Sequence, residues 1–369
     1  MEKSTPMILD RRKARSRLAR CFALLITAGT SQAVLSQAPL SPLSRLPDTV
    51  LEVGSPEARV SGVPGSMRIE NTTCSRRSNS ELRQRIVDIA VQEWAFFGFH
   101  IVDRTDPPPP RSARRPYRPR PWMDPAESER VAASIAGYWS VTPDGAWILD
   151  RQNTFWRGPL GVGERWRDPW SAAFVSWAVC EAGIAENAAF RRSINHRTYI
   201  DQAIRARDGQ AADSAFVAYD VGEEIIEPGD LLCSARRHGY RNLDDRRRHL
   251  DEGARTHCDI VVHIDRPGAR ILAIGGNVRG RVSLKLLYAQ PDPEDPTRHS
   301  VVGRGERAMF AHLKLVEPAG LSAGLVFTPS IQRLADDAAQ REALESSLQI
   351  ELPTTSAARS GQPRADEQS

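Results

Sequence analysis

Across 369 residues the chain has no Cys-x-x-Cys pair, no glycine-rich phosphate loop and no internal repeat. Nor does any apolar run approach the roughly 20 residues that span a bilayer. The first absence argues against a structural zinc site, and the second against a cradle for nucleotide phosphates. The third removes solenoid architectures, and the last removes a transmembrane helix from the mature chain. No convincing cluster of metal-ligating residues stands out either, so the sequence predicts no metal and no cofactor. One-sided charge is missing as well: 50 Lys and Arg face 46 Asp and Glu, for a net +4. The basic excess lies near the N-terminus and in two loops, with no recognisable nucleic-acid motif behind it, so no nucleic-acid partner is expected.

What is present begins with a leader. The basic stretch "DRRKARSRLAR" is followed by the short apolar run "CFALLITA" and then by "GTSQAVLSQA". Those three regions in that order read as an export signal over residues 1–38, with Ser31 and Ala33 as the small residues before the cut. Cys21 stands at the front of the apolar run instead of behind it, which argues against a lipid-anchored cysteine. The mature protein is therefore expected in the periplasm or outside the cell. Removing the leader leaves Cys74, Cys180, Cys233 and Cys258, an even number suited to disulfides in an oxidising compartment. Three pairings are open to them.

Residues 39–73 are rich in Pro, Ser and Gly without sustained periodicity and read as a flexible linker. Beyond it, "SNSELRQRIVDIAVQEWAFFG" carries Leu82, Ile86, Ile89, Ala90, Trp94 and Phe97 at helical spacing, with Ser78 and Glu81 set for a capping box. An Arg- and Pro-rich insertion near 105–121 follows, too dense in proline for a helix. A second helix is expected over about Pro125 to Tyr138. In "RDPWSAAFVSWAVCEAG", Asp168 suits an N-cap, Pro169 the first helical position and Gly183 the C-cap. Only Ser176 is polar from Ala172 to Val179, so this helix should be buried, with Ser171 in its first turn. The second half changes period. "EPGDLLC", "HCDIVVHID", "RILAIGGN" and "RVSLKLL" are short, alternating and separated by turn residues, and "AHLKLVEP" adds a last strand. Arg279 and Gly280 make a hairpin turn, and residues 234–256 form an insertion with seven arginines. Helices first and an antiparallel sheet second imply an α+β domain over 74–328. Residues 329–369 read as a polar, partly disordered tail in which 331–350 can form a helix.

A helix that delivers a first-turn nucleophile against a strand bearing a base is one solution to nucleophilic catalysis. Ser171 and His257 fit those two roles. In "HCDIVVHID", His257, Asp259, Val261 and His263 share one strand face and Cys258 the other, so Cys258 points away from its own histidine and reads as a structural thiol or disulfide. Two residues are candidates for orienting the imidazole: Asp259 on the same face, and Asn277 at the end of the next strand. His196 and Tyr199, after the buried helix, are candidates for lining the same cleft, and Trp170 for stacking on a sugar or peptide. Each also has a plainer account, as a surface histidine or core packing. Ser171 itself reads equally as a serine that satisfies helix-start amides.

The blocks "PWSAAFVSWAVCEAGI", "PGDLL", "HCDIVVHI" and "IGGNVRGRVSL" occur in an order that resembles the NlpC-type and CHAP superfamily of papain-like cell-wall hydrolases. The serine version, with "HCDIVV" and "GGNV", also resembles a bacterial family known only as a domain of unknown function. The resemblance covers about residues 74–318. It implies a papain-like α+β fold, N-terminal helices on a mainly antiparallel sheet, and Ser171 at the position of the family's cysteine nucleophile. It further implies His257 as base and Asn277 as orienter, while Trp170, His196, Tyr199 and Asp259 are expected around the substrate from their own positions in the chain. The implied substrate is peptidoglycan or a cell-wall peptide, cleaved at an amide. A serine hydroxyl needs far more help from a base than a thiol does, so an inactive binding module that keeps the cleft is the competing expectation.

Overall fold

The stretch after Trp170, apolar on almost every side, becomes the central helix of the molecule. The computed structural model describes residues 40–74, 81–105, 123–235, 239–301, 309–317 and 324–352. In chain order its elements are α1 (Asp48–Leu51), β1 (Val60–Ser61), β2 (Arg68–Ile69), α2 (Leu82–Phe96), β3 (Ile101–Arg104), α3 (Pro125–Trp139), α4 (Gly145–Trp156), α5 (Ser171–Ala182) and α6 (His196–Arg207). There follow β4 (Phe216–Tyr219), β5 (Leu231–Ala235), α7 (Leu243–Arg247), β6 (Thr256–Asp265), β7 (Arg270–Val278), β8 (Arg281–Pro291), β9 (His299–Val301), β10 (Met309–Leu315), α8 (Pro329–Gln332) and α9 (Ala338–Leu348). The main sheet has the order β3-β8-β7-β6-β5-β10-β4, with β9 beside β8. Every pairing in it is antiparallel except β3 with β8. The fold is thus mixed α+β on a mostly antiparallel sheet.

Strand alternation decides what each face of the sheet does. Cys258, Ile260 and Val262 of β6 join α2, α5 and α6 in the larger core, whereas Val261 joins Leu232, Ile271, Ala273 and Leu287 in a smaller cluster. Burying each such aliphatic side chain contributes about 1.5–3 kcal/mol. Among the described residues, no helix is long and apolar enough to cross a membrane.

Helix α5 is buried along its whole length and ends at Gly183, whose φ of +121° suits glycine. Its start differs from the capping expectation. The Asp168 carboxylate is claimed by the Arg151 guanidinium, and Trp170 stands at the N-cap without a side-chain bond, so Ser171 is the first helical residue. The capping box expected for α2 gives way in the same manner. Ser78 lies outside the described residues, and Glu81 adopts a left-handed φ of +65° without capping. The Glu317 carboxylate, just after β10, instead accepts from the Leu82 and Arg83 amides at 3.4 and 3.2 Å. Helices α4 and α6 have no counterpart in the sequence reading. Neither N-cap residue, Asp144 or Asn195, makes a side-chain cap bond, and α6 mixes four buried apolar residues with buried polar ones.

Residues 40–73 are not a linker but a strap over the helices. Arg45 pairs with Glu57 and with Glu93 of α2, and lies 3.6 Å from the Phe96 ring centre. Arg59 pairs with Glu181 of α5 and donates to the carbonyls of Asn71 and Thr73 at 3.2 and 2.7 Å. The Cys74–Cys180 disulfide follows at once. Glu93 and Glu181 are carboxylates inside apolar helices, and buried charge demands a partner. The strap supplies it, which composition alone does not reveal. The chain after 328 also folds back: Ile331, Leu334, Leu344 and Leu348 belong to the larger core. The 234–256 insertion holds α7, whose Arg246 is buried on Asp201 through two bonds of 2.7 and 2.6 Å. The expected leader, the 353–369 tail and most of the 105–121 insertion lie outside the described residues.

One carboxyl of α2 makes stability depend on pH. Burial pushes Asp88 up to about 7, against the lowering effect of a 2.6 Å bond from Gln84 Nε2. Because the folded value exceeds the unfolded one, near 4, this group's stabilising contribution is complete below that lower value and is lost as pH rises through 7. Asp88→Asn should match the parent at pH 4 and exceed it by about 4 kcal/mol at pH 8 in urea titrations. Equal stability of the two proteins at both pH values would refute the assignment.

Candidate active site

Ser171 opens α5, where the first amides have no partners within the helix. Its Oγ lies 2.7 Å from His196 Nε2, the first residue of α6. One turn along α6, the Tyr199 hydroxyl contacts the other ring nitrogen, Nδ1. The Cys258 N–H donates to that same Nδ1 at 3.2 Å. Pairing between β6 and β7 begins at Ile260 and Ile274, so the Cys258 amide lies ahead of that ladder and serves the imidazole instead. A backbone N–H only donates; His196 Nδ1 must therefore offer its lone pair. Burial, reinforced by Asp259, holds the Tyr199 hydroxyl protonated well above the usual phenol range, so it too donates to Nδ1. A neutral His196 accordingly carries its proton on Nε2 and donates it to Ser171 Oγ.

A second imidazole stands beside the first. The His257 ring centre is 5.0 Å from that of His196, edge to face. Its Nε2 lies 2.9 Å from Asp259 Oδ1, and Asp259 Oδ2 lies 2.7 Å from Lys285 Nζ. Asp259 has no exposure to solvent. Burial alone would raise its carboxyl, but the Lys285 ammonium and His257 outweigh burial and hold it well below the ordinary carboxylate range. An ionised carboxylate accepts only, so His257 Nε2 must donate, and a neutral His257 keeps its lone pair on Nδ1. Both rings are thus held in the Nε2–H tautomer: His196 donates that proton to the serine, whereas His257 donates it to Asp259 and presents Nδ1 as a base.

Two glycines make room for this arrangement. A Cβ at Gly275 would sit 2.0 Å from Asp259 Oδ1 and 3.0 Å from His257 Nε2. One at Gly276 would sit 2.6 Å from Phe174 Cβ and 3.0 Å from Trp170 Cζ3. "GGN" in the sequence is therefore a packing requirement on both faces of β7.

Of the residues singled out from sequence, Ser171, His196, Tyr199, His257 and Asp259 come together. Asn277 does not hold the imidazole: Asp259 occupies Nε2, while Asn277 is half-buried with a left-handed φ of +54°. Trp170 is 1% exposed and packs on Phe97 and Tyr138, so its ring is core and offers no stacking surface. Asp259 and Tyr199 lie beneath the histidines as supports, too deeply buried to meet a substrate directly. Cys258 is disulfide-bonded to Cys233, the residue directly opposite it on β5. Sequence reasoning missed Lys285 altogether. Its signal is a charged residue held between Leu284 and Leu286 in the buried middle of a strand.

Residues 129–305 match a family described as "Uncharacterized protein conserved in bacteria (DUF2272)". The matched stretch contains Ser171, His196, His257, Asp259, Asn277 and Lys285. No curated protein and no solved structure matches the chain.

The Gly275 contact is directly testable. Gly275→Ala should push Asp259 off His257, cost about 1–3 kcal/mol in urea unfolding, and abolish the downfield imidazole proton of that pair in NMR spectra. Gly163→Ala, at an open position, serves as control and should stay within about 0.5 kcal/mol of the parent. An unperturbed imidazole signal in Gly275→Ala would contradict the geometry.

Proposed function

We propose that the protein is an exported hydrolase of peptidoglycan amide bonds, a papain-like (NlpC- or CHAP-like) domain in which serine replaces the thiol. The observation that carries this reading is the 2.7 Å contact of Ser171 Oγ with His196, beside a second imidazole carried by a buried aspartate. Ser171 Oγ attacks the amide carbonyl carbon, and its proton passes to Nδ1 of His257. Asp259 steadies the resulting imidazolium, which returns the proton to the leaving amine. His196, neutral and donating from Nε2, holds Oγ in the resting site and then bonds the oxygen that becomes negative on the attacked carbon. Water reverses the sequence and releases the acid. Two disulfides favour the export part of the reading, since such bonds persist in oxidising compartments.

One observation favours a second reading. Ser171, His196 and His257 are only 5, 4 and 3% exposed, so a substrate carbonyl reaches Oγ only if the rim opens. A module that binds cell walls without cutting them fits that closure.

Purified protein incubated with peptidoglycan distinguishes the two. Under the hydrolase reading new amines appear, Ser171→Ala and His257→Ala lower the rate by at least about 10³, and His196→Ala by about 10². Asp259→Asn should cost about 10² or more through loss of the correct tautomer. Undiminished amine release by Ser171→Ala rules out the nucleophile. Absence of release from the parent, with the protein still pelleting on cell walls, selects the binding module.

A further inference from the structure

The hairpin that follows Gly276 carries an arginine pair without an assigned role. Val278 pairs with Arg281, leaving Arg279 and Gly280 as a two-residue turn with φ of +56° and +85°. Such turns require left-handed backbone at both positions and favour Asn, Asp or Gly there. An arginine at the first position costs on the order of 1 kcal/mol in backbone conformation. Just before the turn, the register of β7 against β8 shifts between Gly275 and Val278, and Asn277 is left-handed as well. A bulge of this kind re-aims the side chains beyond it and recurs beside active sites.

Arg279 is exposed and Arg281 half-exposed. Among the described residues neither has a carboxylate within ion-pair distance. Elsewhere the chain pairs its arginines readily, as with Arg45, Arg59, Arg83, Arg246 and Arg270. Both guanidiniums lie near His100, whose Nδ1 is 2.8 Å from Ser283 Oγ. Burial first, then Arg281 and Arg279, push that imidazole down to about 4, so at neutral pH it adds no charge of its own. The strand that leads into this turn packs on the helix that Ser171 opens. Gly276 abuts Trp170 and Phe174, which flank Ser171 along the chain, and Arg279 is three residues further on, about 10 Å of strand. An arginine side chain spans much of that distance.

Resting on the hydrolase reading, we propose that Arg279 and Arg281 form a carboxylate clamp at the rim of the site and select peptides with an acidic side chain near the scissile amide. Guanidinium suits this task because it stays charged and offers paired N–H donors to a planar carboxylate. The strained turn is the means by which two strand-linked positions present that charge outward.

Binding can be measured without cleavage, using the full-length Ser171→Ala protein with its disulfides intact. Calorimetric titration would compare acetyl-Ala-Glu-amide with the isosteric acetyl-Ala-Gln-amide. About tenfold tighter binding of the glutamate peptide is expected, shrinking toward equality in Arg279→Ala/Arg281→Ala and at 500 mM salt. The Arg279→Lys/Arg281→Lys protein should retain part of the preference. Unchanged melting temperatures would show that these exposed substitutions leave the fold intact. Equal affinities in the starting protein, no binding of either peptide, or a preference that survives the double alanine change would each overturn the clamp. A preference without any hydrolysis of peptidoglycan by the parent would leave the clamp standing and remove the hydrolase.

Discussion

A carboxylate sealed from water in the middle of the sheet governs the rest of the structure. Asp259 is tolerable there only because an ammonium lies on one oxygen and an imidazole on the other. Lys285 keeps the carboxylate ionised, the ionised carboxylate dictates which nitrogen of His257 holds a proton, and the missing side chain of Gly275 leaves space for both. Three strands, β6, β7 and β8, must therefore be in register before His257 has a defined chemical state. The site is a property of the sheet rather than of a loop.

The serine reaches that sheet from a different direction. Its helix is packed all round, so Ser171 has no freedom to wander, and α6 brings His196 to the end of β6 where the Cys258 amide awaits a partner. Two imidazoles then stand side by side, each with partners of its own. Their tautomers follow from a backbone N–H in one case and a carboxylate in the other, and both are acceptor or donor by covalent constitution. The two rings consequently share one tautomer but not one partner, His196 donating to Ser171 and His257 to Asp259.

Much of this was legible in the sequence where one residue type has one use. The apolar stretch 172–179 could only be a buried helix, and alternation along 257–265 assigned Cys258 and His257 to opposite faces. Gly183 was a helix stop because no other residue adopts its backbone so cheaply. The departures have a common cause. Asp168, Ser78 and Glu81 have the right chemistry for local caps, yet Arg151 and Glu317, remote in the chain, compete for the same groups. The strap over residues 40–73 depends on two arginines finding two buried glutamates, which leaves no periodic trace. Asn277 has the chemistry of an orienter, but Asp259 takes the ring nitrogen, and the left-handed backbone at Asn277 leaves no trace in the sequence. His196 looked ordinary because nothing local marks a histidine that meets its partners through a helix packed elsewhere.

The Cys74–Cys180 bond joins the end of that strap to the central helix across 106 positions of sequence. A protease that nicks the backbone anywhere inside the loop therefore yields two fragments that still travel as one covalent molecule. Only a reductant separates them, and until then the upstream fragment keeps its arginines within reach of the glutamates they neutralise.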